Sequence, residues 1–561
     1  MLRTHTCGEL RKTHKDKEVS LCGWIDTIRT HGSLTFIDIR DRYGKTQIVL
    51  DKPYQIKKEY VVQITGKVFL KAETNKALAT GDIEVKADNL KILNKSKPLP
   101  IDENATDEAR LKYRYIDLRD PKKLGYLAFK SQVYNLVRNY FYKNGFLEIE
   151  TPMMVKPTPE GARDYVVPSR VNNGKFYSLP QSPQLYKQIL MVAGADKYFQ
   201  VARCFRDEDL RTDRQPEHTQ FDFEMSFVTS DEIRAFAEDL MKSLFKEILN
   251  VKLDNFPILS YEESMEEYGI DKPDLRFDMK LIDFNDLASK SSFKIFKEAE
   301  YVKGIFAEKD FSRKEIDKLT DLVKIYKAKG LAYMKLQEGK LDAGVSKFFN
   351  EEEQKEIISK LPKKNGTVFF VADKKKICLT ALGQLRNKLG EILNLKNKEE
   401  FKFCWVKDFP VFAYNEEEQK WEPEHHMFSM PNEEFIEDFE KRPGEVKGDL
   451  WDLVLNGMET ASGSIRISDP TLQERIFEFV GFDKEEAKSK FGFLLDAYEY
   501  GGPIHGGMGI GADRLIGLML GLTDIREVIA FPKNKNAQCT MDGSPSELTQ
   551  QQLDELHIKL K

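Results

Sequence analysis

The sequence predicts a multidomain α+β chain that opens with a small five-stranded β-barrel, and three observations lead there. The chain has 561 residues, more than one ordinary hydrophobic core organises. Residues 1–105 alternate apolar and polar side chains through LCGWIDTIRTHGSLTFIDIRDRYGKTQIVL, VVQITGKVFL and GDIEVKADNLKIL, with Gly23, Gly32 and Gly44 expected at turns. Five or so short strands without a strong helix point to a closed barrel of the oligonucleotide-binding (OB) type. Residues 203–227, RCFRDEDLRTDRQPEHTQFDFEMSF, repeat the period-two alternation on both sides of a charged loop. That is the pattern of an antiparallel hairpin in a second, larger sheet.

The remaining elements follow in order. NKSKPLPIDENATDEARLKYRYIDLRDP is polar and carries prolines, so residues 106–125 read as a connector. KLGYLAFKSQVYNLVRNYFYKNG then sets Leu127, Val133, Leu136, Val137 and Phe141 at helical spacing. Gly145 supplies the stop, and FLEIETPMM reads as a strand ending at Pro152. This opens the first part of the sheet domain, 126–274. Between 275 and 400 the composition shifts to lysine-rich helices around the apolar strand GTVFFVAD, which indicates an inserted α+β domain. From FKFCWVKDFPVFAYN the alternation returns, so 401–561 completes the sheet domain and adds a C-terminal extension.

Composition narrows the class. Hydrophobic residues at 41% and charged residues at 32% form a soluble mixture. No stretch has the apolar length of a membrane span, and MLRTHTCGELRK lacks a signal-peptide profile, so a cytoplasmic location is expected. The six cysteines are scattered without a CxxC pair, which argues against a disulfide framework or a zinc site. A net charge of −5 excludes wholesale attraction to nucleic acid, while local basic patches remain open to RNA. No membrane or DNA partner is expected.

Three stretches carry chemistry. The inner ends of the 203–227 hairpin bring Arg206, Glu208, Gln215, Gln220, Asp222 and Glu224 near one another. A guanidinium binds a phosphate or carboxylate with two prongs, and a carboxylate accepts from an adenine amino group. The set suits a nucleotide beside a charged small molecule; a surface hairpin whose charges pair with one another is the competing reading. In LWDLVLNGMETASGSIRI, Asp452 and Glu459 lie seven apart, bracketing a strand, and Gly457, Ala461, Ser462 and Gly463 let backbone approach a ligand. In GGMGIGADRLIGLMLGL, glycines 506, 507, 509 and 511 precede an amphipathic helix with Arg514 in its first turn. A helix N-terminus and a guanidinium together favour an anion, and the spacing matches neither the Walker nor the Rossmann pattern.

Together with the helix–strand–proline layout ending at Pro152, these stretches closely resemble motifs 1, 2 and 3 of the class II aminoacyl-tRNA synthetases. The resemblance is to the bacterial aspartyl type, within the aspartyl, asparaginyl and lysyl subgroup, and it spans nearly the whole chain. It implies ATP-driven activation of L-aspartate to aspartyl-adenylate, then transfer to the 3′ end of tRNA(Asp), in a homodimer built through motif 1. It implies that Arg206 bridges the substrate carboxylate and the α-phosphate, that Glu208 meets the adenine amino group, and that Arg514 reaches the γ-phosphate. Asp207, Gln215, His218, Glu459, Gly511, Ala512 and Asp513 complete the ATP set, and Arg206, Glu459 and Arg514 the catalytic set. Asp452 and Glu459 suit Mg²⁺, which prefers one or two carboxylates plus phosphate oxygens and water. Arg466, supported by Lys187, is expected to bind the aspartate side chain, since an amide NH₂ would face N–H donors there. Asp222, Ser182 and Gln184 match the groups around the substrate amine. Glu160 in TPEGARDYVVPSR matches a closing loop, and His425 in WEPEHHMFSMP a residue near the substrate. His218 stands where many relatives carry a phenylalanine stacked on adenine, which implies weaker or pH-sensitive ATP affinity.

A barrel of the OB type binds single-stranded loops by stacking bases on aromatics and reading their edges. Phe36, Gln47 and Arg29 match the family's anticodon-contacting positions, and Glu84 is a further candidate; pattern alone also allows Phe36 as a core residue. His31 with Gly81 resembles the relaxed type that also charges tRNA(Asn), a choice within reach of one base contact worth about 1–3 kcal/mol. Two other readings stand beside this one. A paralogue making a small amide product without tRNA is opposed by the barrel with Phe36 and Gln47. A non-catalytic RNA-binding paralogue would have lost Arg206, Glu459 or Arg514, and all three are present.

Overall fold

The computed structural model describes residues 1–158 and 161–560 in two compact units. One comprises Met1–Phe129 with Ala530–Ser546, the other Lys130–Ile529 with Glu547–Lys561. The expectation for Glu160 lies outside the described residues. Among the described residues no helix is long and apolar enough to cross a membrane.

In the first unit β1 (Glu18–His31), β2 (Leu34–Asp41), β3 (Gly44–Leu50), β4 (Val61–Leu70) and β5 (Ile83–Asn94) close into a barrel in the order β1-β2-β3-β5-β4. Alternate residues, among them Leu21, Ile25, Ile37, Ile39, Ile48, Ile64 and Val85, fill its interior, as the period of two requires. Gly32 and Gly44 sit at turns with positive φ, but Gly23 lies inside β1. A Cβ there would stand 2.4 Å from the Arg40 carbonyl oxygen, so close strand packing, not a turn, demands glycine. The connector is itself folded, as α1 (Asp107–Lys112) and α2 (Arg114–Asp117). Its hub is the buried Asp117 carboxylate, which accepts from Arg110 (2.9 Å), Arg114 (2.6 Å) and Lys123 (2.8 Å).

From Lys130 the second unit includes the later part of α3 (Pro121–Lys143), whose Val133, Val137 and Phe141 form a buried i, i+4, i+8 stripe. Phe141 stacks on Phe199 at 4.5 Å between ring centres and touches Phe146 and Phe223. Truncating it opens a cavity beneath the hairpin: Phe141→Ala is expected to lower stability by about 3–5 kcal/mol, read by denaturant titration. After Gly145 (φ +80) only β6 (Leu147–Glu148) is a strand, shorter than FLEIETPMM suggests. Then come β7 (Val166–Pro168), β8 (Phe176–Ser178), α4 (Gln184–Val192), β9 (Lys197–Phe205), β10 (Glu217–Ser226), α5 (Ser230–Leu244), β11 (Ile258–Ser260) and α6 (Tyr261–Tyr268).

The inserted segment carries a five-stranded antiparallel sheet, order β12-β13-β16-β14-β15, from β12 (Ile282–Asp283), β13 (Tyr301–Ala307), β14 (Ala332–Gln337), β15 (Lys340–Asp342) and β16 (Gly366–Asp373). Helices α7 (Asn285–Lys290), α8 (Lys294–Lys297) and α10 (Glu351–Lys360) cover one face, α9 (Arg313–Ile325) and α11 (Lys375–Ile392) the other. GTVFFVAD is apolar throughout because β16 is central: Val368 and Phe370 enter one core, Phe369 and Val371 the other.

Beyond it run β17 (Phe403–Lys407), the hairpin β18 (Phe412–Asn415) and β19 (Lys420–Pro423), β20 (Leu450–Leu455), β21 (Met458–Ile465), α12 (Pro470–Phe479), α13 (Lys484–Tyr498), β22 (His505–Gly511) and α14 (Ala512–Met519). They complete one eight-stranded sheet, β11-β17-β20-β21-β22-β10-β9-β6, antiparallel except for the edge pairs β11/β17 and β6/β9. The sheet thus draws strands from both sides of the insertion.

Candidate active site

On β10 the alternation sorts the side chains. Phe221 and Phe223 turn toward the α3 side, and Gln220, Asp222 and Glu224 toward the opposite face. Neighbouring β22 meets that face with glycines. A Cβ at Gly507 would lie 2.0 Å from Glu224 Oε2, and one at Gly509 would lie 3.2 Å from Gln220 Oε1. Glycine at these positions therefore makes room for the carboxylates. Above them opens a cavity of about 340 Å³.

One end of the cavity is a buried, charge-balanced quartet. Arg466 donates from Nε to Glu224 Oε1 (2.8 Å) and from Nη2 to Glu224 Oε2 (3.2 Å) and the Gly507 carbonyl (3.1 Å). Its Nη1 donates to Ser464 Oγ (2.6 Å) and lies 3.3 Å from His426 Nε2. Lys187 Nζ reaches Asp222 (2.9 Å) and Glu224 (3.2 Å). Burial drives the Asp222 carboxyl up to about 6, with Lys187 pulling the other way. Burial also opposes the Glu224 charge, but Arg466 and Lys187 outweigh it and hold that carboxyl at about 2. Asp222 Oδ1 and Gln184 Nε2 are buried without a partner among the described residues, so a donor and an acceptor are left for a ligand. Ser182 and Gln184 line the same wall. Of the two histidines it is His426, not His425, that lines the cavity; His425 packs edge-on against Phe409, 4.9 Å away.

The other end gathers the arginines Arg206, Arg214 and Arg514 among the acids Glu208 and Asp213. Arg206, immediately after β9, is pinned by its backbone N–H on the Pro216 carbonyl (2.9 Å). The Nε atoms of Arg206 and Arg514 are buried without a partner among the described residues. Arg514 donates from Nη1 to the Glu459 carbonyl (2.6 Å) and from Nη2 to Asp213 (3.3 Å). Gln215, His218 and Gly511 line this end. Glu208 does too, although its carboxylate accepts from Arg214 (2.7 Å), which is the charge pairing the competing reading expects. Asp513 lines this end as well. The Asp513 carboxylate anchors the start of α14, accepting from Lys130 and from the Thr219 N–H. Asp207 faces Arg163 (3.8 Å) and, like Ala512, is off the cavity wall.

Asp452 and Glu459 sit on adjacent strands and bracket the tight turn at Asn456–Gly457 (φ +53 and +83), not a strand. Asp452 is buried, and one of its oxygens has no partner among the described residues. Burial, and next the Glu459 charge, raise its carboxyl well above the usual range. Two facing carboxylates with an unpartnered oxygen fit a hard divalent cation completed by phosphate and water.

Histidine protonation has two consequences. Burial, then Arg206 and Arg514, push His218 down to about 3, so it is neutral across pH 6–8. ATP affinity of the protein and of its His218→Phe variant should therefore run parallel across that range, against the pH-sensitive half of the His218 expectation. Burial likewise lowers His426 and His505. An imidazole held neutral in the fold binds fewer protons than in the unfolded chain. Its contribution is full above about 6.5 and is lost as pH falls from there. Asp222, Asp449 and Asp452, whose carboxyls burial raises, work the other way but are outnumbered by His218, His425, His426 and His505, so Tm should drop between pH 6.5 and 5. Asp222 itself should make kcat/KM for the amino acid fall as pH descends through about 6.

On the barrel, Arg29, Phe36, Asp38 and Gln47 share one outer face through the pairs Arg29↔Phe36 and Asp38↔Gln47. Phe36 is half-buried and turned away from the interior residue Ile37. Gln47 donates to Glu84 (2.9 Å) and accepts from Lys71 (3.2 Å). His31 closes the β1–β2 turn opposite Leu34. Gly81 is so close to the Asn75 carbonyl oxygen (1.7 Å for a Cβ) that only glycine fits. Asp38 and Lys71 were not singled out from sequence; their only signal is strand parity.

Sequence comparison assigns this sheet and the cavity above it to a class. The chain belongs to the class II tRNA synthetases of the D, K and N group: residues 106–535 match that family, and residues 19–93 match its OB-fold nucleic acid binding domain. It is 52% identical to the aspartate–tRNA(Asp/Asn) ligase of Treponema denticola, over 100% of this chain and 99% of that one. It is 47% identical to the aspartate–tRNA ligase of Ruminiclostridium cellulolyticum, over 100% and 98%. Solved structures share the fold at lower identity. The asparaginyl-tRNA synthetase of Pyrococcus horikoshii gives a TM-score of 0.60 at 19% identity, covering 95% of this chain and 98% of that one. The aspartyl-tRNA synthetase of Entamoeba histolytica gives 0.59 at 18%, covering 95% and 92%.

Proposed function

We propose that this chain is an aspartate–tRNA ligase whose cavity seats L-aspartate on the quartet and ATP at the other end. The observation that carries this is the set of buried polar atoms on the cavity wall without a partner among the described residues: Asp222 Oδ1 and Gln184 Nε2 at the quartet, and Arg206 Nε and Arg514 Nε at the other end. Preset dipoles and charges of this kind need no reorganisation when the ligand arrives. The Asp222 carboxylate accepts from the substrate amine, with Ser182 and Gln184 beside it. Arg206 holds the α-carboxylate against the α-phosphorus, a carboxylate oxygen attacks, and the bond to the β-phosphate breaks to release pyrophosphate. Positioning supplies most of the acceleration. Arg514 steadies the terminal phosphates. Mg²⁺ held by Asp452 and Glu459 would neutralise charge on the departing pyrophosphate. A terminal ribose hydroxyl of tRNA then attacks the acyl carbon and AMP leaves.

Phe36, Gln47, Arg29 and Glu84 receive the anticodon. His31 with Gly81 supports charging of tRNA(Asn) as well as tRNA(Asp), as does the Asp/Asn name of the Treponema relative. Exposed Leu147, Met153 and Met154 beyond α3 support a homodimer at that face, and the enzyme works in the cytoplasm. Charging purified tRNA(Asp) and tRNA(Asn) with labelled aspartate is the test. Product on both is expected; none on tRNA(Asn) refutes the relaxed reading, and none on either refutes the assignment.

A further inference from the structure

The inserted segment has no part in the chemistry above, yet its entrance is fastened to the carboxylates Asp452 and Glu459. Gly269 (φ +69) ends α6 so close to α11 that a Cβ would lie 2.3 Å from the Leu379 carbonyl oxygen. Arg386 of α11 lies wholly buried over the rings of Phe277 (4.0 Å) and Tyr268 (4.9 Å). It donates to the carbonyls of Asp274 (3.0 Å), Phe277 (2.8 Å) and Met279 (2.7 Å). On the other side, a Cβ at Gly457 in the β20–β21 turn would touch the Asp274 Cβ at 3.0 Å. Between these two fixings lie Asp271 and Lys272. The Lys272 ammonium stands 3.6 Å from Asp271 and 4.0 Å from Glu459, and both residues act on the buried Asp452. One ammonium thus pairs with two carboxylates, Asp271 and Glu459, and acts at longer range on a third, Asp452, which keeps an unpartnered buried oxygen.

We propose that Lys272 is a positioning residue of the active site, delivered by the inserted domain through Arg386, whose ammonium holds the Asp452–Glu459 pair together until a divalent cation replaces it. Three carboxylates at close range repel, and a single screened charge steadies them only in part. A cation bearing two charges is the better partner and displaces the lysine. Lys272 is therefore a competitor of the metal, and its removal should tighten cation binding. The inference rests on Asp452 and Glu459 being the metal carboxylates, and a separate arm of the test judges that reading.

The test is Mn²⁺ titration of the full chain without ATP, followed by electron paramagnetic resonance of the free ion. Lys272→Met should bind Mn²⁺ about fivefold tighter, the loss of one unit-charge attraction to Glu459 at about 4 Å in a water-like dielectric. Lys272→Arg should restore the original affinity. Arg386→Met should shift affinity the same way, without adding to Lys272→Met. Unchanged or weaker Mn²⁺ binding by Lys272→Met overturns the proposal, even if Arg386→Met fails to fold. A folded Arg386→Met with the original affinity overturns the part given to the inserted domain. Glu459→Gln is the separate arm: retained Mn²⁺ binding there refutes the metal reading itself.

Discussion

Arg206→Ala is expected to reduce aspartate-dependent pyrophosphate exchange by about 10³-fold, with no loss of folding cooperativity. One preset donor to a developing charge is commonly worth about 10²–10³ in rate. Arg206 offers two-pronged contact at the point where carboxylate and α-phosphate must meet. Its place is set by the backbone bond to Pro216, which the substitution leaves intact. Among the described residues no ion pair holds its side chain, and its buried Nε has no partner there. Exchange kinetics together with a melting curve check both halves. A variant retaining a tenth of the exchange rate would move the catalytic role elsewhere.

Arg466→Ala should act differently, damaging both substrate binding and stability. The guanidinium and Glu224 are both almost wholly buried. Removing it leaves the Glu224 carboxylate with Lys187 as its remaining cation, while Lys187 is shared with Asp222. Breaking a buried pair from one side costs about 3–5 kcal/mol. The KM for aspartate should rise at least 100-fold, and Tm should fall. Lysine should rescue neither, because an ammonium cannot reproduce the two bonds to Glu224 together with those to Ser464 and Gly507. A variant with unchanged Tm would show that Glu224 is compensated by something else.

What could be read from sequence follows from range. Period-two alternation is local, so β9 and β10 and the barrel strands were legible, and so was the run GADRL as a glycine stop ahead of a helix. The insertion was legible from its lysine-rich composition and from a strand apolar on both faces. Contacts set by tertiary structure were not. Glu224 holds Arg466 from 242 positions away, and no spacing rule connects them. His425 and His426 lie in irregular backbone, where no period tells which of two neighbours faces inward. Gly23 looked like a turn because close packing against Arg40 leaves no trace in local sequence. Asp207 sits within the right motif, yet it faces Arg163 and is off the cavity wall, while Asp513 lines the cavity with its carboxylate held by Lys130 and the Thr219 N–H.

Pyrophosphate exchange measured across a panel of amino acids bears most directly on the claim that a fixed guanidinium selects a carboxylate side chain. The account predicts exchange with aspartate and none above background with asparagine or lysine. Exchange supported equally by asparagine, or by lysine in place of aspartate, would contradict it.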